Sequence, residues 1–283
     1  MITFRLIHDF REAAAKMKAK FPHPENANQI LAKDTTVFRP DGKIAAVLLR
    51  NVIPPALHLR AYELLKSVSG LVSNRATAMG TSSLARSVNK DGAPSPQRGV
   101  NENVLNVSPA RQGILGWDRP YYLTTLTHKH PEMLDGNRAL IELADDLYAR
   151  NLPEFYATQR AVVERVPWKL WRTVFTTIYI AKNLQTAYHR DGNLKGAMTA
   201  IAPLGNFSGG GLVLLRWRIT IPYKPGDFLI FDAEELHGNL PFKGERLSAA
   251  FYCSRDIADS IKSTYSRDSC RSECRKRRGF LSE

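Results

Sequence analysis

Apolar residues recur with a helical period in several segments of the first half of the chain, whereas the second half contains short strand-like apolar runs separated by turns. In the first half, positions three and four apart share an apolar face, and the segment 34–50 reads as two short strands around a turn. We expect Pro153 to close the last helix. The predicted helices cover residues 1–21, 55–68 and 137–150.

From residue 173 onward, short apolar runs rich in β-branched and aromatic residues alternate with Gly- and Pro-containing turns. The runs are TVFTTIYIA, GAMTAIAPL, GLVLLRWRITI, GDFLIFDA and RLSAAFYCS. No helical pattern lies between them, which is typical of an antiparallel β-sandwich or barrel. The pattern therefore predicts an α+β protein in which N-terminal helices buttress a β core.

Residues 69–118 lack sustained periodicity and are rich in Gly, Ser, Asn, Pro and Arg, so they are predicted to form long loops. Arg75, Arg86 and Arg98 lie in this segment with few acidic residues nearby. A basic loop of this kind suits contact with DNA, and a solvated linker explains it equally well. We divide the chain into an N-terminal region (1–136), a β core (137–258) and a basic tail (259–283), forming one integrated catalytic domain.

The charge balance changes this picture by suggesting a partner. The chain has 283 residues, 43% of them hydrophobic, and carries 40 Lys and Arg against 27 Asp and Glu, a formal charge of +13. A protein that docks on phosphate backbones gains affinity and encounter rate from such a charge. A generic solubility charge is the alternative.

Two other features bear on the cellular setting. The chain lacks an apolar run long enough to span a bilayer, and its N-terminus does not resemble a secretory signal. Its three cysteines are few and odd in number, and Cys270 and Cys274 lack further ligands for a zinc site. We therefore expect free thiols in a reducing compartment, either the nucleus or a cytoplasm.

The candidate chemistry lies in the β half. His189 and Asp191 are two residues apart, so on an extended backbone both side chains point the same way, and His237 follows the strand-like run GDFLIFD. Two histidines and one carboxylate form the facial triad of non-haem iron(II) oxygenases, which leaves positions open for a 2-oxo acid and dioxygen. Arg246 can bind the remote carboxylate of 2-oxoglutarate, and Ser248 can donate a hydroxyl hydrogen bond to it.

Other interpretations of these residues exist. Asp191 could be a capping residue, His189 a surface residue and His237 a hydrogen-bonded core residue. His128 and His130 form a second pair of histidines, but no acidic residue lies at a useful spacing, and we interpret them as structural or substrate-loop residues.

The segment from Phe175 to Tyr252, with TAYHRDGNLKG and PGDFLIFDAEELHGN within it, resembles the TET/JBP family of nucleic-acid-modifying dioxygenases. The resemblance implies a double-stranded β-helix, a distorted jelly roll. It implies oxidation of the 5-methyl group of a pyrimidine in double-stranded DNA: 5-methylcytosine first, converted to hydroxymethylcytosine or beyond, with thymine as the alternative. The base must then be flipped out of the duplex to reach a buried metal. Asn193 and Lys195 are candidates to contact the base or a phosphate.

Competing functions keep part of this chemistry. They are demethylation of an N-methyl base or of RNA, hydroxylation of a protein or small molecule, and non-enzymatic nucleic-acid binding. The sequence suggests no obligate protein partner and no membrane association, and we expect a monomer.

Overall fold

The computed structural model describes residues 1–27, 29–31, 33–66, 104–107, 131–166, 169–255 and 258 of the chain. Five α-helices lie within these residues: α1 (Arg11–Ala15), α2 (Pro55–Lys66), α3 (Pro131–Gly136), α4 (Arg138–Asn151) and α5 (Pro153–Val163). The strands of the same residues are β1 (Ile2–Arg5), β2 (Gln29–Ile30), β3 (Thr35–Phe38), β4 (Ile44–Leu49), β5 (Val104–Val107), β6 (Thr177–Lys182), β7 (Thr199–Gly209), β8 (Leu212–Leu214), β9 (Ile219–Ile221), β10 (Phe228–Phe231), β11 (His237–Asn239) and β12 (Phe242–Tyr252).

The strands form two sheets. The larger has the order β1-β3-β4-β10-β7-β12-β6-β5 and the smaller the order β11-β8-β9-β2. Most neighbours are antiparallel, and the exceptions are β1 with β3 and β2 with β9, which pair in parallel. A core between the two sheets includes residues of β8 and β9 from the smaller sheet and of β4 and β10 from the larger. This arrangement is the predicted distorted jelly roll.

Alternation along the central strands separates two environments. On β12, Leu247, Ala249 and Phe251 pack toward α2 and α4, whereas Arg246 and Ser248 line a cavity on the other face. Successive side chains of a strand point to opposite faces, so one strand serves both the helix-covered core and the cavity. The helices thus cover the outer face of the larger sheet and leave its inner face for chemistry.

Glycine permits the close pairing of β7 with β12. Gly205 has φ +99°, and a Cβ there would lie 2.3 Å from the carbonyl oxygen of Glu245. The backbone conformation and the close approach both require a residue without a side chain. This pairing matters for the site because Arg246 is the register partner of Gly205.

The predicted helix over residues 1–21 is wrong. Residues Ile2–Arg5 form an edge strand, and only Arg11–Ala15 are helical. Leu6 packs in the core between the sheets, whereas Ala14 packs against Tyr188 in a separate cluster. Because these apolar residues face two different cores, tertiary pairing overrides the local helical periodicity.

Three smaller expectations also need correction. Pro153 opens α5 rather than only closing α4, since proline is well suited to the first helical turn. The run 211–221 is interrupted by a 3-10 turn at Leu215–Trp217. A short strand, Val104–Val107, lies within the predicted loop 69–118. The hairpin at 34–50 and the helices near 55–68 and 137–150 are confirmed.

In the described part of the chain, no helix combines the length and apolar character that crossing a membrane requires.

Candidate metal centre and co-substrate pocket

His189, Asp191 and His237 converge at one place. Their candidate ligand atoms all lie within 4.8 Å of one another. Nε2 of His189 is 3.5 Å from Oδ1 of Asp191, and Nε2 of His237 is 3.9 Å from Oδ2 of the same carboxylate. The backbones of the two histidines form a directly opposed pair, with N–H···O distances of 2.9 and 3.0 Å. The bridge between two distant chain segments therefore brings the ligands together.

Both imidazole rings are oriented by backbone carbonyls. Nδ1 of His189 lies 2.8 Å from the carbonyl oxygen of Ala187, and Nδ1 of His237 lies 2.9 Å from that of Glu235. A carbonyl oxygen only accepts, so each Nδ1 carries a proton and each Nε2 is the nitrogen left for a metal. Two imidazole Nε2 atoms and a carboxylate facing one point are a donor set that fits iron(II).

The loop Asp232–Glu235, which we call the acidic loop, supports two of the three ligands through consecutive carbonyls. The carbonyl of Ala233 accepts the backbone N–H of Asp191 at 3.0 Å. The carbonyl of Glu234 accepts from the Arg190 guanidinium at 2.6 Å, and that of Glu235 accepts from His237. The position of this loop therefore sets where the Asp191 and His237 side chains lie.

Two arginines hold the carboxylates of the acidic loop. Nη1 of Arg39 lies 3.0 Å from Oδ2 of Asp232 and 3.3 Å from Oε1 of Glu235. Nη1 of Arg216 lies 3.1 Å from the same Oε1, and its other guanidinium nitrogens donate to Asp9. Hydrogen bonding to Arg216 lowers the pKa of Asp9. An ion-pair network from the N-terminal region thus reaches the metal centre.

Arg246 is buried at the base of the same cavity, with 2% of its surface exposed. Its Nε donates to Ser248 Oγ at 3.2 Å and its Nη2 donates to the Tyr223 hydroxyl. Within the described residues, Nη1 has no hydrogen-bond partner. Burial lowers the pKa of this guanidinium. Gly210 makes room for it, because a Cβ at that position would lie 2.8 Å from Nη1.

Tyr223 extends this donor set. Its hydroxyl oxygen accepts from Arg246 and also from Nδ2 of Asn239 at 2.8 Å, and the Asn239 side-chain oxygen accepts from Thr186 at 2.6 Å. Burial raises the pKa of Tyr223, so the hydroxyl keeps its proton. The Nη1 of the buried Arg246 guanidinium has no acceptor among the described residues, and the Tyr223 hydroxyl lies beside it with a proton to donate. Buried donors of this kind need an acceptor. The distal carboxylate of 2-oxoglutarate fits this requirement, and one cavity is lined by these residues and by the metal triad.

The other predicted contact residues are placed differently. Asn193 is buried, and its side-chain amide donates to Thr199 Oγ1 at 2.7 Å, so that group is already engaged. Lys195 is exposed. Arg75, Arg86, Arg98, His128 and His130 lie outside the described residues, and their roles stay predictions.

Sequence reasoning missed the roles of Tyr223 and Asn239, and of Arg39 and Arg216, which bind the carboxylates of the acidic loop. Asn239 carries a signal, since it lies two residues after His237 and points to the same side of the extended segment. Tyr223 lies in the turn before the predicted strand at 226–233, and Arg39 precedes the hairpin turn. Neither position differs in pattern from an ordinary loop residue.

Residues 122–255 match the model of the Tet_JBP family, described as the oxygenase domain of the 2OGFeDO superfamily. The chain is 30% identical over 217 residues to the bifunctional helicase and thymine dioxygenase JBP2 of Trypanosoma brucei brucei, covering 75% of this chain and 18% of that protein. It is 24% identical over 258 residues to the thymine dioxygenase JBP1 of Crithidia fasciculata, covering 85% of this chain and 29% of that one.

Among solved structures, NgTET1 in complex with 5mC DNA superposes with a TM-score of 0.52 at 16% identity, covering 88% of this chain and 92% of that one. This likeness supports the fold. The match spans only part of each curated relative, 18% of the length of JBP2 and 29% of the length of JBP1.

Proposed function

Because this chain carries an oxygenase domain of the TET/JBP family, we propose that it is an iron(II)- and 2-oxoglutarate-dependent dioxygenase that hydroxylates the 5-methyl group of a pyrimidine in DNA. The observation that carries the proposal is one cavity that contains both the His189–Asp191–His237 cluster and the buried guanidinium of Arg246, whose Nη1 has no hydrogen-bond partner among the described residues. A metal would use the first group, and a carboxylate ligand would satisfy the second.

The residues divide the work between metal and co-substrate. His189, Asp191 and His237 hold the iron, while Arg246, Ser248 and Tyr223 hold the distal carboxylate of 2-oxoglutarate. When bound, iron, dioxygen and 2-oxoglutarate supply an oxidation in which one oxygen atom enters the methyl C–H bond and the other enters succinate, with release of carbon dioxide. The hydrogen bonds from Nδ1 to backbone carbonyls orient both imidazole rings so that each Nε2 is the nitrogen available to the iron.

The burial of the triad supports base flipping. His189 is 7% and His237 4% exposed, so a methyl group within a stacked duplex has no path to them. Tyr179 and Tyr252 line the same cavity and offer aromatic faces against which an extruded base can stack. We therefore propose that the nucleotide leaves the duplex and enters between these tyrosines and the metal centre.

Two bases remain candidates, each with its own support. The relatives matched by sequence are named thymine dioxygenases, which favours thymine. The base in the complex of the structural neighbour is 5-methylcytosine. We propose a monomer in a reducing compartment, the setting in which a free thiol such as the buried Cys253 persists.

The test supplies iron(II), 2-oxoglutarate, ascorbate and duplex DNA containing either thymine alone or 5-methylcytosine as well, followed by nucleoside mass spectrometry. We expect a hydroxymethyl nucleoside with stoichiometric succinate. Asp191→Ala should abolish both products, whereas Asp146→Ala, which changes an exposed helix residue, should leave them unchanged. Succinate and hydroxylated nucleosides at the wild-type level from Asp191→Ala would refute the assigned site. Their absence from both DNAs with the wild-type chain would refute the proposed substrate.

A further inference from the structure

A second groove lies on the surface outside the metal cavity. Residues 4–8 and Phe10 form one side of it, and Trp217 and Arg218 form the other. It is structurally close to the metal centre, because Leu214 pairs with His237 and the 3-10 turn that ends at Trp217 follows directly. The N–H of Leu215 donates to the carbonyl of Leu236 at 3.1 Å, which ties this turn to the strand that carries the third metal ligand.

The groove is lined by cations and donors without acidic residues. Arg5 and Arg218 are exposed, and neither forms an ion pair within the described residues. The neighbouring arginines differ in this respect, since Arg11 and Arg216 are both engaged by Asp9. Two guanidinium groups therefore face solvent at one groove with their charge uncompensated.

Both guanidinium groups are held by aromatic rings. The guanidinium carbon of Arg218 lies 4.1 Å from the centroid of the Phe10 ring, and that of Arg5 lies 5.6 Å from the centroid of Phe38. Stacking restricts the side-chain rotamers while leaving the N–H edges available. Such preorganisation lowers the entropic cost of binding a phosphate through two parallel N–H bonds.

The backbone at Arg218 is strained. Its φ is +50° and its ψ +39°, the left-handed region, and it caps the 3-10 turn by donating to Leu215. A residue with a Cβ pays roughly 1 kcal/mol in this conformation, which glycine adopts freely. The position therefore retains a guanidinium at a cost in stability.

We infer that this groove binds a phosphodiester of the nucleic-acid backbone beside the nucleotide that enters the metal cavity, an inference that rests on the proposed function. Its lining offers two bidentate cations and no competing carboxylate, which is the chemistry that phosphate oxygens require. Since the turn at 215–217 adjoins the strand of His237, one DNA molecule can reach both the groove and the cavity.

The experiment measures binding of the metal-free chain to an unmodified fluorescent duplex by anisotropy across a range of salt concentrations. The test variant combines Arg5→Gln with Arg218→Gly. Arg218→Gly also relaxes the left-handed backbone, so the variant should fold at least as well at that position. Arg150→Gln, on an exposed face of α4, is the matched control for loss of one positive charge.

The logarithm of the association constant falls linearly with the logarithm of the salt concentration, and we expect the steepness of this slope to decrease by about 1 for each lost guanidinium. At about 0.1 M salt, the affinity should fall about eight-fold per guanidinium. Arg150→Gln should leave the slope at the wild-type value. A double variant with the wild-type slope would overturn the groove while leaving DNA as the partner. A wild-type chain whose weak binding does not depend on salt would overturn both the groove and the proposed DNA substrate.

Discussion

Replacing Arg39 with methionine should weaken metal binding, although Arg39 is not a metal ligand. The substitution removes the guanidinium that donates to Asp232 at 3.0 Å and to Glu235 at 3.3 Å. Among the described contacts, Glu235 would keep Arg216 and Glu234 would keep Arg255, but Asp232 would lose its cation. Because carbonyls of this loop fix the backbone of Asp191 and the ring of His237, a looser loop leaves the ligands less well oriented.

The magnitude follows from the burial of the partners. The side chains of Arg39, Asp232 and Glu235 are 17%, 14% and 4% exposed, so the network is largely desolvated. Breaking a buried ion pair costs about 3–5 kcal/mol of the free energy of unfolding. Because Glu235 keeps its contact with Arg216, we expect a loss at the lower end, about 3 kcal/mol. Loss of an outer contact that orients a metal-binding histidine typically lowers metal affinity about 10- to 100-fold.

The assay separates the two effects. Apparent Kd for cobalt(II), used as a spectroscopic substitute for iron(II), is measured by its visible absorption well below the melting temperature of each variant. Thermal unfolding without metal reports the loss of stability independently. Arg39→Lys should recover part of both quantities because it keeps the charge, and Arg150→Met should change neither beyond a few tenths of a kcal/mol.

One result would refute the reasoning. If Arg39→Met lowers the melting temperature while the Kd for cobalt(II) stays at the wild-type value, the network stabilises the fold without orienting the ligands. The link from Glu235 to His237 would then have to be abandoned.

Two further outcomes are expected. Arg246→Met should weaken 2-oxoglutarate binding at least about 30-fold by calorimetry, because it removes the cation that pairs with the ligand's carboxylate, and should leave cobalt(II) affinity within about three-fold. It should also raise the melting temperature of the ligand-free chain, since an unpaired buried cation is lost. Unchanged 2-oxoglutarate affinity would contradict the assigned role. Burial raises the pKa of the Cys253 thiol to about 12, so the folded chain should resist alkylation at about pH 8. The ordinary pKa of a cysteine thiol is 9.0, so above that pH the thiol of the unfolded chain ionises first, and this group should lower the free energy of unfolding by about 1.4 kcal/mol per pH unit up to about pH 12. Rapid native alkylation, mapped by peptide mass spectrometry, would contradict that burial.

Local pattern was informative for strands that are buried on both faces. The short apolar runs of β7, β10 and β12 predicted strands, and each of these strands has one face against the helices and one against the inner core or cavity. The N-terminal segment defeated the same reasoning, since Leu6 and Ala14 pack into different clusters that no local period can reveal.

The candidate site divides in the same way. The sequence by itself predicted the candidate metal ligands and the candidate co-substrate arginine, because His-x-Asp, a later His and Arg-x-Ser are spaced to share faces of extended strands. Only the tertiary structure decided which residues support them. Arg39, Arg216 and Tyr223 reach the site across gaps of 196, 19 and 23 residues to their partners Glu235, Glu235 and Arg246. Such contacts arise from the pairing and packing of whole sheets, and side-chain spacing along one strand carries no information about them.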